Sequence, residues 1–204
     1  MIRPQPVKKT PGGVGFLLDV VLRVASAGAS QQDCGMNFRE KIVALADLRA
    51  WREQARRDGR RVVVTNGCFD LLHAGHVTYL EAARNLGEAL VVGLNSDASV
   101  RRLKGESRPV NAEQDRALVL AALESVSAVA IFPETSAAAF LRLVEPDIYV
   151  KGADYTHEKM NQEERRIVEG CGGEIHFLAF VAGKSTTNLL GRLGQAGPSA
   201  SARE

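Results

Sequence analysis

The sequence predicts an α/β fold in which a five-stranded parallel sheet is flanked by helices, and three observations predict it. Short apolar runs return along the chain without the apolar–polar alternation of a half-wetted sheet, which marks strands covered on both faces. Segments with helical spacing of apolar residues separate these runs, giving the cadence of right-handed crossovers between parallel strands. The first run then ends in a polar turn, and two histidines, His73 and His76, fall where a helical pattern begins.

Taken in order, residues 1–36 form an irregular N-terminal extension. MIRPQPVKKTPGG is proline-rich and basic, and GFLLDVVLRVASAGA is a short apolar segment interrupted by Asp19 and Arg23. That segment is too short and too charged for a membrane span. It reads as a marginal amphipathic or peripheral element, and Met36 offers an alternative start of translation. Residues 37–60 hold an amphipathic helix over 37–58, with Ile42, Leu45, Leu48 and Trp51 on one side and Gly59 closing it. Its stripe is expected to pack on the core or on a second subunit.

The main domain is expected over 61–193. Val62, Val63 and Val64 start a buried strand that Asn66 and Gly67 stop, and a helix then carries Tyr79, Leu80, Ala83 and Leu86. Further strands are predicted at 89–94, 128–132, 148–150 and 174–178, with helices at 111–123, 136–144, 160–169 and 186–193. Residues 194–204 lack a periodic apolar face and are expected to be a flexible tail.

Composition narrows the function. At 204 residues with 45 % hydrophobic content the chain can bury a sizeable core. A net charge of +2 and 5 % aromatic content, with no aromatic residues interleaved in a basic stripe, argue against a stable nucleic-acid partner. Cys34, Cys68 and Cys171 are few, odd in number and widely spaced, as for reduced thiols in a cytoplasmic protein, and they fit no compact zinc motif. Cys68 adjoins the histidine turn, where small buried packing is a better reading than nucleophilic chemistry.

The chemistry concentrates in loops after strands. HAGH at 73–76 places two imidazoles on one side of a helix start at a strand's carboxyl edge, where open α/β sheets bind anions. After the second strand come Asn95, Ser96 and Asp97, then Arg101, Arg102, Lys104 and Arg108 in a loop that Gly105 and Pro109 can hold near a phosphate. Arg101 and Arg102 read as a solvated face, and Asp97 either recognises an acceptor or orders the loop. VKGADY at 150–155 offers Gly152 for close backbone approach, with Lys151 and Asp154 beside it, although Asp154 equally suits an Asx turn. GKSTTN at 183–188 puts Ser185, Thr186 and Thr187 at a helix entrance suited to phosphate. It is not a P-loop, because Leu178 stands where the first glycine belongs.

TNGCFDLLHAGH resembles the signature of the HxGH nucleotidyltransferases related to cytidylyltransferases. The resemblance continues through LNSD, RLKGESRP, EQDR, VKGADY and GKSTTNLL, from about residue 61 to residue 193. Within that superfamily the combination is most similar to the D-glycero-β-D-manno-heptose 1-phosphate adenylyltransferase branch. The resemblance implies a Rossmann-like nucleotidyltransferase fold, with His73, His76 and Lys104 catalytic. It implies that Asn66, Gly67, Phe69, His73, His76, Arg116, Lys151, Gly152, Ser185, Thr186 and Thr187 bind nucleotide. Asp70, Asp97, Lys104 and Arg108 would bind the acceptor. The cofactor implied is Mg2+ travelling with ATP, and no direct protein ligand to a metal is assigned. A phosphorylated sugar is the second substrate, supplied by a separate sugar kinase, and a homodimer is expected. A cytidylyltransferase acting on glycerol 3-phosphate or another small phosphorylated acceptor is the alternative, and an inactive nucleotide-binding interaction module a lesser one. The charged stretch 157–173 is longer than the heptose resemblance requires.

Overall fold

The computed structural model describes residues 37–179. Five strands, β1 (Val62–Gly67), β2 (Ala89–Asn95), β3 (Ala128–Phe132), β4 (Ile148–Gly152) and β5 (Glu174–Leu178), form one sheet in the order β3-β2-β1-β4-β5. Every pairing is parallel. Six α-helices lie among the described residues: α1 (Leu48–Arg57), α2 (Ala74–Arg84), α3 (Asp97–Lys104), α4 (Glu113–Ala121), α5 (Ala138–Val144) and α6 (Gln162–Gly170). From β1 the chain steps outward through β2 and β3, then returns to the other side of β1 at β4. The sheet therefore reverses direction between β1 and β4, and open α/β sheets receive ligands at the carboxyl ends of such strands.

Successive strand residues face opposite sides of a sheet. Val62 and Val64 accordingly pack with Leu48, Ala55, Phe140, Leu141 and Val168 from α1, α5 and α6. Val63 packs on the other face with Leu80, Ala83, Ala117 and Leu120 from α2 and α4. All these side chains are fully buried, so the strand runs lack alternation because both faces are roofed. Each such burial contributes about 1.5–3 kcal/mol for a Val- or Leu-sized side chain. At Gly93 in β2 the roof is so close that a Cβ would meet the Phe140 ring at 2.6 Å.

Two segments depart from the sequence reading. The single helix expected over 37–58 is broken into 3-10 turns at Phe38–Lys41 and Leu45–Asp47, followed by α1. Between the turns Ile42 bridges to Val129, and the Val43 N–H donates to the Val129 carbonyl at 2.9 Å, so this β-branched pair lies along the free edge of β3. The stretch 97–104, read as loop, is helical. Ser96 caps α3 by accepting from the Ser99 N–H, and Val100 anchors it in the core. The remaining strands and helices match the expected segments to within a few residues at their ends. The expected helix at 186–193, and both terminal segments, lie outside the described residues.

The amino-terminal rim of the sheet is fixed by a buried arginine. Arg52 of α1 is 4 % exposed; its Nε donates to the Glu145 carbonyl at 3.0 Å and its guanidinium reaches Asp147 Oδ1 at 2.8 Å. Asp147 Oδ2 in turn accepts from the Val62 N–H at 2.6 Å, tying α1 to the start of β1. The opposite, carboxyl rim is left open for the cleft.

Candidate active site

A cleft of about 860 Å³ opens at the carboxyl ends of β1, β2 and β4. From β1 and its turn it takes Asn66, Gly67, Cys68, Phe69 and Asp70, and from α2 His76. Lys104 and Arg108 close one side, while Lys151 and Gly152 at the end of β4 form the other, facing Glu164 of α6. Of the expected residues within the described segment, the cleft lining therefore gathers Asn66, Gly67, Phe69, Asp70, His76, Lys104, Arg108, Lys151 and Gly152.

The turn that carries the histidines is tight. Phe69 takes a left-handed backbone conformation (φ 41°), and its ring edge meets the His76 ring at a centroid separation of 5.3 Å. Its ring also lies where a Cβ at Gly67 would come within 3.1 Å, so a side chain there would push the aromatic wall aside. His73 precedes α2 as its N-cap, and its ring stacks on that of His76 with centroids 3.9 Å apart and planes 17° from parallel. Nδ1 of His73 is buried without a hydrogen-bond partner among the described residues, whereas the His76 ring hydrogen-bonds the Leu71 backbone.

Burial drives the His76 pKa down to about 4 from the usual 6.5; the neighbouring His73 adds to this, and a hydrogen bond with the Leu71 backbone works the other way. The ring is therefore neutral at pH 7, and a phosphate brought against it would favour protonation. Between pH 6.5 and 4 the unfolded chain binds the proton more readily than the folded one, so stability falls as pH drops through that window. The thermal midpoint is expected to decline over this interval, and His76→Gln is expected to flatten the decline. Identical pH slopes for the two proteins in differential scanning calorimetry would contradict it.

Three residues expected to touch substrate also hold other parts of the site in place. Arg116 has a fully buried side chain: Nε donates to the Asn111 carbonyl at 3.0 Å, one amino group to the Cys68 carbonyl at 2.5 Å, and the other to Asp97 Oδ1 at 2.7 Å. It braces the histidine turn from behind, and Asp97 is engaged as its counter-ion. Asp70 is 4 % exposed; Oδ1 accepts from the Val110 N–H at 2.7 Å, and Oδ2 pairs with Arg108 at 2.7 Å. Its carboxylate thus holds Arg108 at the cleft. Lys104, by contrast, lies at the end of α3 with no ion-pair partner among the described residues. Cys68 lines the cleft as well, but burial pushes its thiol pKa up, outweighing the nearby cations, which disfavours the nucleophilic thiolate.

The sequence reading missed the far wall. Glu164 is 5 % exposed and accepts from the Ala137 N–H at 2.9 Å. Its other oxygen is 2.9 Å from Tyr149 Oη and 3.2 Å from Lys151 Nζ. Lys151 Nζ also donates to Asn66 Oδ1 at 2.9 Å, linking β4 to β1 across the switch point. Nothing local distinguishes Glu164 from Glu163 beside it, which is exposed and pairs with Arg142 on the surface. Their helical phase is the one available signal, and it needs the position of α6 to be read. Ser185, Thr186 and Thr187 lie outside the described residues.

A parallel α/β sheet with a stacked histidine pair at the strand-to-helix turn and cations around its switch-point cleft is the architecture of a nucleotidyltransferase. The sequence profile of the cytidylyltransferase-like family matches residues 64–181, and the chain belongs to that family. It is 47 % identical over 173 residues to the bifunctional protein HldE of Pelobacter propionicus, covering 85 % of this chain and 34 % of the relative. It is 51 % identical over 154 residues to the protein of the same name from Methylobacillus flagellatus, covering 76 % of this chain and 31 % of that one. The chain thus spans about a third of the length of these curated relatives. Among solved structures it is similar to a lipopolysaccharide core biosynthesis protein from Thermoplasma volcanium, with TM-score 0.50, 28 % identity and coverage of 60 % of this chain and 98 % of the other. A pantoate-β-alanine ligase from Francisella tularensis, at 13 % identity and TM-score 0.50 over 68 % of this chain and 66 % of that one, shares the fold.

Proposed function

We propose that this chain transfers AMP from ATP to D-glycero-β-D-manno-heptose 1-phosphate, yielding ADP-heptose and pyrophosphate. The pair of His73 and His76, stacked so that His76 lines a cleft that also holds Lys104, Arg108 and Lys151, carries the assignment to phosphate transfer. The heptose acceptor is supported by the motif combination and by about 50 % identity to the bifunctional HldE proteins.

In this reaction an acceptor phosphate oxygen attacks the α-phosphorus of ATP. The bond from that phosphorus to the oxygen bridging it to the β-phosphate breaks, and pyrophosphate departs with the electron pair. The phosphate nucleophile is already ionised at neutral pH, so no general base is required. His73 and His76 offer N–H donors where negative charge grows, in the manner of a preorganised oxyanion site. Lys104 and Arg108 neutralise and align phosphate oxygens, Lys104 as a movable point charge and Arg108 as a fork fixed by Asp70. The Ser185–Thr187 hydroxyls belong to the same reading as ligands of the triphosphate.

Among the described residues no group of three or more His, Cys, Asp or Glu side chains is placed to hold a metal ion. The cleft's cationic and amide donors suit phosphate oxygens, so Mg2+ would be held by the triphosphate and water. When bound there it neutralises charge on the departing phosphates. The same reading takes residues 61–193 as the catalytic domain, a separate kinase as the source of the sugar phosphate, pairing of two copies, and action in the cytoplasm. Among the described residues no helix is long and apolar enough to cross a membrane.

Incubation with γ-labelled ATP tests the reaction class. Labelled pyrophosphate is expected only when a phosphorylated acceptor is present. Label on an unphosphorylated sugar would make the protein a kinase and overturn the proposal.

A further inference from the structure

We propose that Glu164 is a positioning residue of the transfer site: from α6 it holds Lys151, and Lys151 fixes the amide of Asn66, so that both present N–H donors to a substrate phosphate. This inference rests on the nucleotidyl-transfer reading above and adds a residue to it.

The geometry runs through four side chains on three elements. Glu164 comes from α6, Tyr149 and Lys151 from β4, and Asn66 from β1. A lysine ammonium has three N–H donors and no acceptor. Glu164 Oε2 at 3.2 Å and Asn66 Oδ1 at 2.9 Å take two of them, leaving the third for the cleft that Lys151 lines. The Asn66 atom facing this ammonium must be its oxygen, because two donors would repel. Its NH2 group is thereby turned away from Lys151, and Asn66 lines the same cleft. Tyr149 shares its one O–H between Asn66 Oδ1 at 2.6 Å and Glu164 Oε2 at 2.9 Å, which closes the ring.

Glu164 is itself immobilised. Oε1 accepts from the Ala137 N–H at 2.9 Å and lies 3.3 Å from Ser136 Oγ, so the carboxylate is tied to the entrance of α5 as well. A carboxylate 5 % exposed needs such partners, and here they leave it no free valence for a substrate. Its role is to act through Lys151. The groups facing the Lys151 ammonium are Glu164 from α6, Asp154 and Tyr155 from the loop after β4, Tyr149 from β4 and the neutral Asn66 from β1. Burial draws the Lys151 pKa down, and Glu164, then Asp154, draw it back up. Removing the Glu164 charge therefore lowers it further.

The test compares the wild-type chain with Glu164→Gln, using Glu163→Gln as the surface control. Glu164→Gln keeps the shape and the acceptor for Ala137, and it is expected to lower kcat/KM for ATP about tenfold or more. The alkaline limb of its pH profile should move to lower pH, which a merely structural defect would not do. Without substrates, reductive methylation of Lys151, read by peptide mass against exposed Lys159, should speed up several-fold at fixed pH, because more of the amine is then neutral. In the wild-type chain ATP should protect Lys151 from that reagent. A folded Glu164→Gln with unchanged kcat/KM, alkaline limb and Lys151 labelling would overturn the proposal. If that variant does not fold, the wild-type labelling decides: Lys151 reacting as freely as Lys159 and unprotected by ATP would overturn it. A wild-type chain that releases no pyrophosphate with any phosphorylated acceptor would refute the reaction instead, and the labelling would still report on the clamp.

Discussion

Replacing His73 or His76 with alanine is expected to lower turnover by about tenfold or more while the fold survives. Both rings lie outside the packed clusters on either face of the sheet, and His76 lines the cleft, so their removal leaves the core intact. What is lost is hydrogen-bond donation to phosphate oxygens as charge develops, and a tenfold effect requires about 1.4 kcal/mol of transition-state stabilisation. Because the rings stack at 3.9 Å, each also orients the other. The double variant should therefore lose less than the product of the two single losses. Steady-state turnover with circular dichroism on the same samples checks this. Near-normal turnover in correctly folded single variants would reject the role.

Arg116→Met is expected to produce the largest loss of stability. The side chain is fully buried, and its guanidinium satisfies the Asn111 and Cys68 carbonyls and pairs with Asp97. Methionine fills much of the volume but leaves two carbonyls and a carboxylate without their donor. Breaking a buried pair in this way costs on the order of 3–5 kcal/mol. For a domain of this size that lowers the thermal midpoint by roughly 6–20 °C. Activity should fall with it, because the Cys68 carbonyl belongs to the turn that aims His73 and His76. A variant that unfolds within 2 °C of wild type, roughly the size of a surface effect, would contradict this account.

The division between what the sequence shows and what it hides has a physical basis. HAGH, VKGADY and the strand runs were legible because each is a local signal: a histidine pair one helical turn apart, a glycine at a strand end, β-branched residues in succession. The same is true of Lys104 and Arg108, brought to the cleft by a short connection from β2. Arg116 was not legible in this way, since an arginine on a helix near a phosphate loop reads equally as ligand or brace. Its burial, and the carbonyls 48 and 5 residues away that it serves, show the brace, and no local pattern announces them. Glu164 depends on contacts with Tyr149 and Ala137, 15 and 27 residues distant, which no local pattern announces. The charged 157–173 connection that looked like a departure is where Asn161 caps α6 and Glu164 enters the cleft wall. The helix expected over 37–58 failed for the opposite reason: its apolar spacing fits a helix, but the edge of β3 binds the Ile42 and Val43 backbone more favourably.

The most direct test of the central claim pairs each nucleoside triphosphate with D-glycero-β-D-manno-heptose 1-phosphate, glycerol 3-phosphate and other phosphorylated acceptors. Pyrophosphate release is followed, and products are identified by mass. The account predicts that ATP with the heptose 1-phosphate gives ADP-heptose at the highest kcat/KM of the panel. A faster reaction of CTP with glycerol 3-phosphate, or nucleotide binding with no pyrophosphate from any pair, would contradict it.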